Sequence, residues 1–369
     1  MTEIPSKLDR LLGYLVQDPQ NLNLLQDAAA AAYEEGRLSV VAELAARAET
    51  FTAPSPTLLN LAGLAALRAS DLAQAEACFS RALQQDPANP DIRGNLAWTR
   101  AVLKDWASAC DLIDEAVIAA QPRAAALKVE AFQHLGRPED ALAWADRLAE
   151  RSALPAAALS ALSMAALDAE QPQRARSYAE AAGDTPEAAS TLAFLALQDG
   201  DSVDAESLLD RALAHAPHQP RALLGKGLAR LSANDPQTAA AWLDEAAKGF
   251  ETHLGSWIAA GWAYFAAGDL TQSRQRFATA LALDDSFAES HGALAVIDLL
   301  EGRRDAARRG VNVALRLDQR CFGALLGKML LAQSEGDVVS AERIRAMAMT
   351  LPIGVDGLTL AAALTRFRR

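Results

Sequence analysis

The sequence predicts an all-α solenoid, on three observations that share one period. Alanines recur 34 residues apart at Ala48, Ala82 and Ala116, and again at Ala212, Ala246, Ala280, Ala314 and Ala348, with Ala182 between the runs. Gly36, Gly136, Gly200, Gly268, Gly302 and Gly336 hold one place in that register. Pro54, Pro87, Pro122, Pro155, Pro186, Pro217 and Pro220 fall where one period passes to the next. A fixed period of this length marks one helix-turn-helix unit copied along the chain.

The elements follow in order. Residues 1–21 read as an N-terminal capping helix, Leu8 to Gln17, ended by Asp18-Pro19. Ten repeats start near residues 22, 56, 90, 122, 156, 186, 220, 254, 288 and 322. Repeats 1–5 occupy 22–185 and repeats 6–10 occupy 186–354. Each reads as helix A, a tight turn, helix B and a short link. The turn glycine supplies the permissive backbone of a helix C-terminus. Asp71, Asp105, Asp201, Asp269 and Asp337 follow at the next position, where an aspartate accepts from the free N–H groups of helix B. Proline in the link stops one helix and opens the next. Residues 355–369 read as a C-terminal capping helix with a basic tail, Arg366-Phe367-Arg368-Arg369. Terminal helices of this kind cover the apolar face of an outermost repeat.

Composition narrows the function classes. Hydrophobic residues make up 51% of the 369-residue chain but aromatics only 5%. Alanine supplies much of the difference, and it suits close helix packing. The net charge of −12 argues against general nucleic-acid binding, which needs a basic footprint. That charge is uneven: residues 301–369 carry +5 and residues 1–300 carry −17. Cys78, Cys110 and Cys321 share no metal-ligand spacing, which fits structural thiols in a reducing compartment. The start lacks the apolar region of a signal peptide, and no apolar stretch is long enough for a membrane span. A cytoplasmic location is expected.

The eighth repeat reads Trp257-Ile258-Ala259-Ala260-Gly261-Trp262-Ala263-Tyr264, then Gly268-Asp269, Phe277, Ala280 and Asp285. This resembles the tetratricopeptide repeat, whose pattern is W-x2-L-G-x2-Y, A-x3-F-x2-A and a closing proline, and the Ala- and Arg-rich, Lys-poor composition suggests a member of bacterial type. The second repeat is similar, with Leu59, Gly63, Ala75, Phe79, Ala82 and Pro87. The first B-helix alanine of the pattern is matched at 75, 109, 141, 175, 205, 239, 307 and 341; Val41 and Ser273 depart from it. Leu148 departs from the last alanine. The resemblance covers roughly residues 22–354. A small residue in helix A, such as Gly63, Ala97, Ala193, Gly227, Gly261 or Ala295, lets helix B approach, and a bulky one there forces the helices apart.

The resemblance implies a right-handed superhelix whose A helices line a concave groove that receives protein partners. One inner A-helix position runs Ala30, Leu64, Trp98, Glu130, Met164, Phe194, Leu228, Trp262, Val296 and Leu330, almost wholly apolar. Neighbouring positions add Leu224, Leu231, Ile258, Phe265, Leu299 and Leu326. An apolar groove, strongest over 194–330, is the expected seat of an amphipathic helix or extended peptide. The competing reading is that these residues pack between helices, as apolar helical stripes usually do. A carboxylate clamp of the kind some relatives carry is matched poorly by Asn60, Asn95 and Arg123, since Leu64 and Leu127 replace polar members.

Arg303, Arg304, Arg308 and Arg309 form a basic patch, continued by Arg316 and Arg320. It reads as a docking patch for an acidic partner, anionic lipid or another copy, or as a solvated helix face. No nucleophile elbow, phosphate loop or Cys/His metal site is present, and His215-Ala216-Pro217-His218 is at most a weak metal site. No cofactor is expected, and the chain is expected not to be an enzyme. The function expected is a protein-binding scaffold or adaptor. The alternatives are a peptide-sensing regulator, or an accessory subunit of an envelope or polysaccharide-secretion assembly.

Overall fold

The computed structural model describes residues 5–149 and 153–350. All regular structure among them is helical. The chain forms two compact halves, Met1–Gly183 and Asp184–Arg369. In the first, α1 (Lys7–Gln17) precedes the A and B helices of repeats 1 and 2: α2 (Leu22–Glu34), α3 (Leu38–Glu49), α4 (Pro56–Arg68) and α5 (Leu72–Gln85). Repeat 3 is α6 (Pro90–Val102) followed by two short pieces, α7 (Trp106–Leu112) and α8 (Glu115–Ala120). Repeats 4 and 5 are α9 (Ala124–His134), α10 (Pro138–Ala149), α11 (Ala156–Asp168) and α12 (Pro172–Ala182).

The second half continues the alternation. Repeats 6 and 7 are α13 (Pro186–Asp199), α14 (Ser202–His215), α15 (Pro220–Ser232) and α16 (Pro236–Phe250). Repeats 8 to 10 are α17 (Leu254–Ala266), α18 (Leu270–Leu283), α19 (Ala288–Leu300), α20 (Arg304–Leu317), α21 (Phe322–Ser334) and α22 (Val338–Thr350). The expected terminal helix at 355–369 lies outside the described residues.

Local chemistry fixes the boundaries. Asp71, Asp105, Asp201, Asp235 and Asp269 each accept the N–H three residues on, at 3.0–3.2 Å, and open a B helix. Pro56, Pro90, Pro186 and Pro220 stand in the first turn of A helices, where a missing N–H costs nothing. The turn glycines all have positive φ, 67–84°. Where the sequence offers no glycine, Ser70, Lys104, Glu170 and Asn234 take the same left-handed conformation, with φ of 58–63°.

The packing follows the small-against-large rule. A Cβ on Gly63 would stand 2.6 Å from the Phe79 ring, and one on Gly261 would collide with the Phe277 ring. Both phenylalanines are fully buried. The columns at Ala75, Ala109, Ala141, Ala175, Ala205, Ala239 and Ala307 are buried, as are Ala48, Ala82, Ala212, Ala246, Ala280 and Ala314.

Two rungs of the alanine ladder are not buried: Ala348 on α22 is half-buried, and Ala116 departs further. Ala116 is exposed, because helix B of repeat 3 breaks at Ile113–Asp114. Asp114 caps the second piece through the Val117 N–H at 3.0 Å and pairs with Arg93 at 2.7 Å. The break turns Ile113 and Val117 into the core instead. Lys128 of α9 covers the freed end, its Nζ donating to the carbonyls of Cys110 at 2.8 Å and Ile113 at 2.6 Å. A cation there also suits the negative end of the α7 dipole. Burial holds the Lys128 ammonium below its ordinary pKa.

Candidate protein-binding face

The inner A-helix positions of the second half are dominated by apolar side chains that are neither exposed nor fully covered. Phe194 on α13, Leu228 on α15, Trp262 and Phe265 on α17, Leu299 on α19 and Leu330 on α21 are all half-buried. Leu224 and Leu231 of α15 are half-buried beside Leu228 and pack on Leu243 and Ala260. Two of the expected groove residues are instead packed inside. Ile258 is 8% exposed, in a cluster with Phe277, Ala293 and Ile297. Val296 is 0% exposed, with its Cγ2 3.7 Å from where a Gly327 Cβ would stand.

In repeats 9 and 10 the A helices come into backbone contact. A Cβ on Gly323 would lie 2.6 Å from the Ala293 nitrogen and 2.7 Å from the Gly292 carbonyl carbon. A Cβ on Gly292 would in turn collide with the Ala324 backbone. Only glycine at both places lets α19 and α21 approach this closely.

Trp262 holds this end together. Its ring meets Phe265, Phe277 and Phe322 edge-on, with centroids 5.3, 5.1 and 5.5 Å away. Its Nε1–H donates to Glu289 Oε1 at 3.1 Å. The same carboxylate accepts from the Gly323 N–H and the Cys321 thiol, each at 3.1 Å, at the N-terminus of α21. Burial pushes the Glu289 carboxyl above its usual range against the pull of these donors. Burial and then the Glu289 charge raise the Cys321 thiol, so it is a poor nucleophile. Glu289, Gly292, Cys321 and Gly323 carried no signal in the repeat pattern.

The first half offers a different surface. Trp98 on α6 and Met164 on α11 are half-buried. The Arg123 guanidinium lies over the Trp98 ring at 5.3 Å, a cation–π contact. Asn95 donates to Asn60 at 3.0 Å, so the two asparagines of the imperfect clamp bind each other. A cleft of about 320 Å³ opens between α3, α4 and α5, floored by Ala42, Ala45, Ala62 and Ala66, side chains too short to fill it.

The basic patch lies at the start of α20. Arg303 is paired with Asp298 and Glu301, and Arg308 with Glu335. Arg304 and Arg309 are exposed. His215 Nδ1 donates to the Arg211 carbonyl, 3.0 Å away, and no group of three metal-ligating side chains occurs among the described residues. No helix among the described residues is long and apolar enough to cross a membrane.

Two segments, residues 66–131 and 190–252, match models of the tetratricopeptide repeat. No curated protein matches the chain. Among solved structures, a chain of the APC/C hetero-tetramer Cut9–Hcn1 is similar at TM-score 0.55 and 14% identity. The match covers 86% of this chain and spans 65% of that one. PilF of Pseudomonas aeruginosa is similar at TM-score 0.44 and 17% identity, over 58% of this chain and 97% of that one. MamA is similar at TM-score 0.36 and 18% identity, over 41% and 89%. At these identities the likeness is one of fold.

Proposed function

We propose that this chain, a tetratricopeptide repeat protein, is a non-catalytic scaffold that seats a partner helix or extended segment on the inner A-helix face of repeats 6 to 10. Repeats of this family bind protein partners. The observation that carries the reading here is the run Phe194, Leu228, Trp262, Phe265, Leu299 and Leu330, each half-buried. Apolar side chains left partly wet on successive helices gain most from being covered. Leu224 and Leu231 extend the run along α15, giving the i, i+4 and i+7 spacing on which a partner's apolar stripe can rest. The reading also places the scaffold in the cytoplasm, where its three free, buried cysteines stay reduced.

The test is a substitution on the inner face that leaves the packing intact. Trp262 is unsuitable because it ties three repeats together through Phe277, Phe322 and Glu289. Leu228→Glu adds a charge at a half-buried position. Affinity capture from the native cell with the wild-type chain and with L228E, alongside melting curves, decides the matter. A partner lost on L228E at unchanged melting temperature is expected. A partner retained by a folded L228E chain refutes the proposal.

A further inference from the structure

The outer face of α20 departs from the B helices around it. The other four B helices of the second half open on a capping aspartate, Asp201, Asp235, Asp269 and Asp337, whereas in the first half Arg37 precedes α3 without a side-chain cap bond. Before α20 stands Arg303, which makes no side-chain cap bond, and Arg304 follows at the first helical position. Positive charge at a helix N-terminus opposes the helix dipole, so stability of α20 does not account for these residues.

The charges are also left over. Several B-helix arginines elsewhere meet carboxylates: Arg81 with Glu49 at 2.6 Å, Arg211 with Asp184 at 2.7 Å, and Arg274 with Asp298 at 2.6 Å. On α20 the acids are consumed by Arg303 and Arg308. Arg304, Arg309 and Arg316 meet no carboxylate among the described residues. Arg309 and Arg316 stand two turns apart on one line of the helix, about 10 Å along the axis. Beside that line, one turn apart, Val313 is 37% exposed and Leu317 46% exposed. Ala307, Val311 and Ala314 form the opposite, buried face.

We propose that this face of α20 is a second docking surface, which takes an acidic amphipathic helix of a protein partner. A helix with carboxylates two turns apart reproduces the Arg309–Arg316 spacing, and its adjoining apolar line covers Val313 and Leu317. Guanidinium forks suit carboxylates because each accepts two parallel hydrogen bonds. A membrane surface fits less well, since the apolar component is two side chains on one edge only. The surface is independent of the inner face and stands or falls separately from it.

The probe is a fluorescein-labelled helical peptide with glutamates at i and i+7 and leucines on the adjoining line. Its control is a scrambled peptide of identical composition. Anisotropy with the full chain is expected to show binding that weakens about tenfold in R309E/R316E and weakens as salt is raised. The scrambled peptide is expected to bind about tenfold more weakly, and L228E to bind the probe as the wild type does. Both arginines are exposed, so the melting temperature should hold; if it falls, R309Q/R316Q is read by the same criterion. Equal binding of both peptides, no binding, or binding unchanged in the arginine variants overturns the proposal. So does preferential sedimentation with phosphatidylserine/phosphatidylcholine vesicles, which would assign the face to membranes.

Discussion

The Trp262 indole donates to the Glu289 carboxylate at 3.1 Å, joining the A helix of repeat 8 to that of repeat 9. Through Glu289 the bond reaches the Gly323 N–H and so the first turn of repeat 10. Trp262→Phe keeps an aromatic ring but leaves the buried carboxylate short of one donor. A loss of about 1–3 kcal/mol is expected, the usual cost of stranding a buried polar group. Chemical denaturation of the two chains measures it.

The raised Glu289 carboxyl predicts a pH dependence of definite sign. Its folded pKa lies above the unfolded one, because burial disfavours the charge. The folded state therefore binds the proton more tightly, and this group's contribution to stability falls as pH rises from the ordinary carboxylate value through the raised one. Glu289→Gln removes that titration. The wild-type minus E289Q difference in melting temperature should shift in favour of E289Q as pH rises through that window. A difference flat with pH contradicts the assignment.

Asp244 of α16 titrates in the opposite sense. It is 5% exposed, pairs with Arg276 of α18 through two hydrogen bonds and meets Lys248 at 3.1 Å. Burial works to raise its pKa, but the two cations outweigh it and hold it below the ordinary value. Its contribution is present above the unfolded pKa and is lost as pH falls through the folded one. Asp244→Ala leaves Arg276 without its buried partner and should cost about 3–5 kcal/mol in a denaturation experiment at neutral pH.

Ser273 stands in the buried alanine column with its Oγ unbonded. The hydroxyl makes no hydrogen bond and was stripped of water on folding. Ser273→Ala should stabilise the chain by about 1 kcal/mol, read as a higher denaturation midpoint.

Glu170 takes the left-handed turn conformation, φ 58°, that glycine holds in six other repeats. An L-residue there costs about 1–2 kcal/mol, and glycine's greater unfolded freedom returns part of it. Glu170→Gly should raise stability by up to about 1 kcal/mol. The same change at an interior helix position would lower it.

The repeat period, the pairing of A and B helices and the small helix-A residues Gly63 and Gly261 that let helix B approach were legible in the sequence. Each depends on residues at fixed spacing within one repeat. The break at Ile113–Asp114 was not, although Asp114 is a ready cap, because a full-length helix B satisfied the same alanine register. What stabilises the break is Lys128, from the next repeat, and contacts of that kind have no local signature. The inner face was legible as a stripe of positions but not as a surface. Ile258 and Val296 share the stripe with Leu228 yet are buried, Ile258 in a cluster with Ala293 and Ile297 of the next repeat, and such contacts are set between repeats.

The central claim is that a partner lies on the inner face of α15 and α17. The most direct measurement is photocrosslinking in the native cell from benzoylphenylalanine placed at Leu228, with a second chain carrying it at Gln275 on α18. The account predicts a discrete protein adduct from position 228 and none from 275. An adduct from 275 with none from 228 would contradict it.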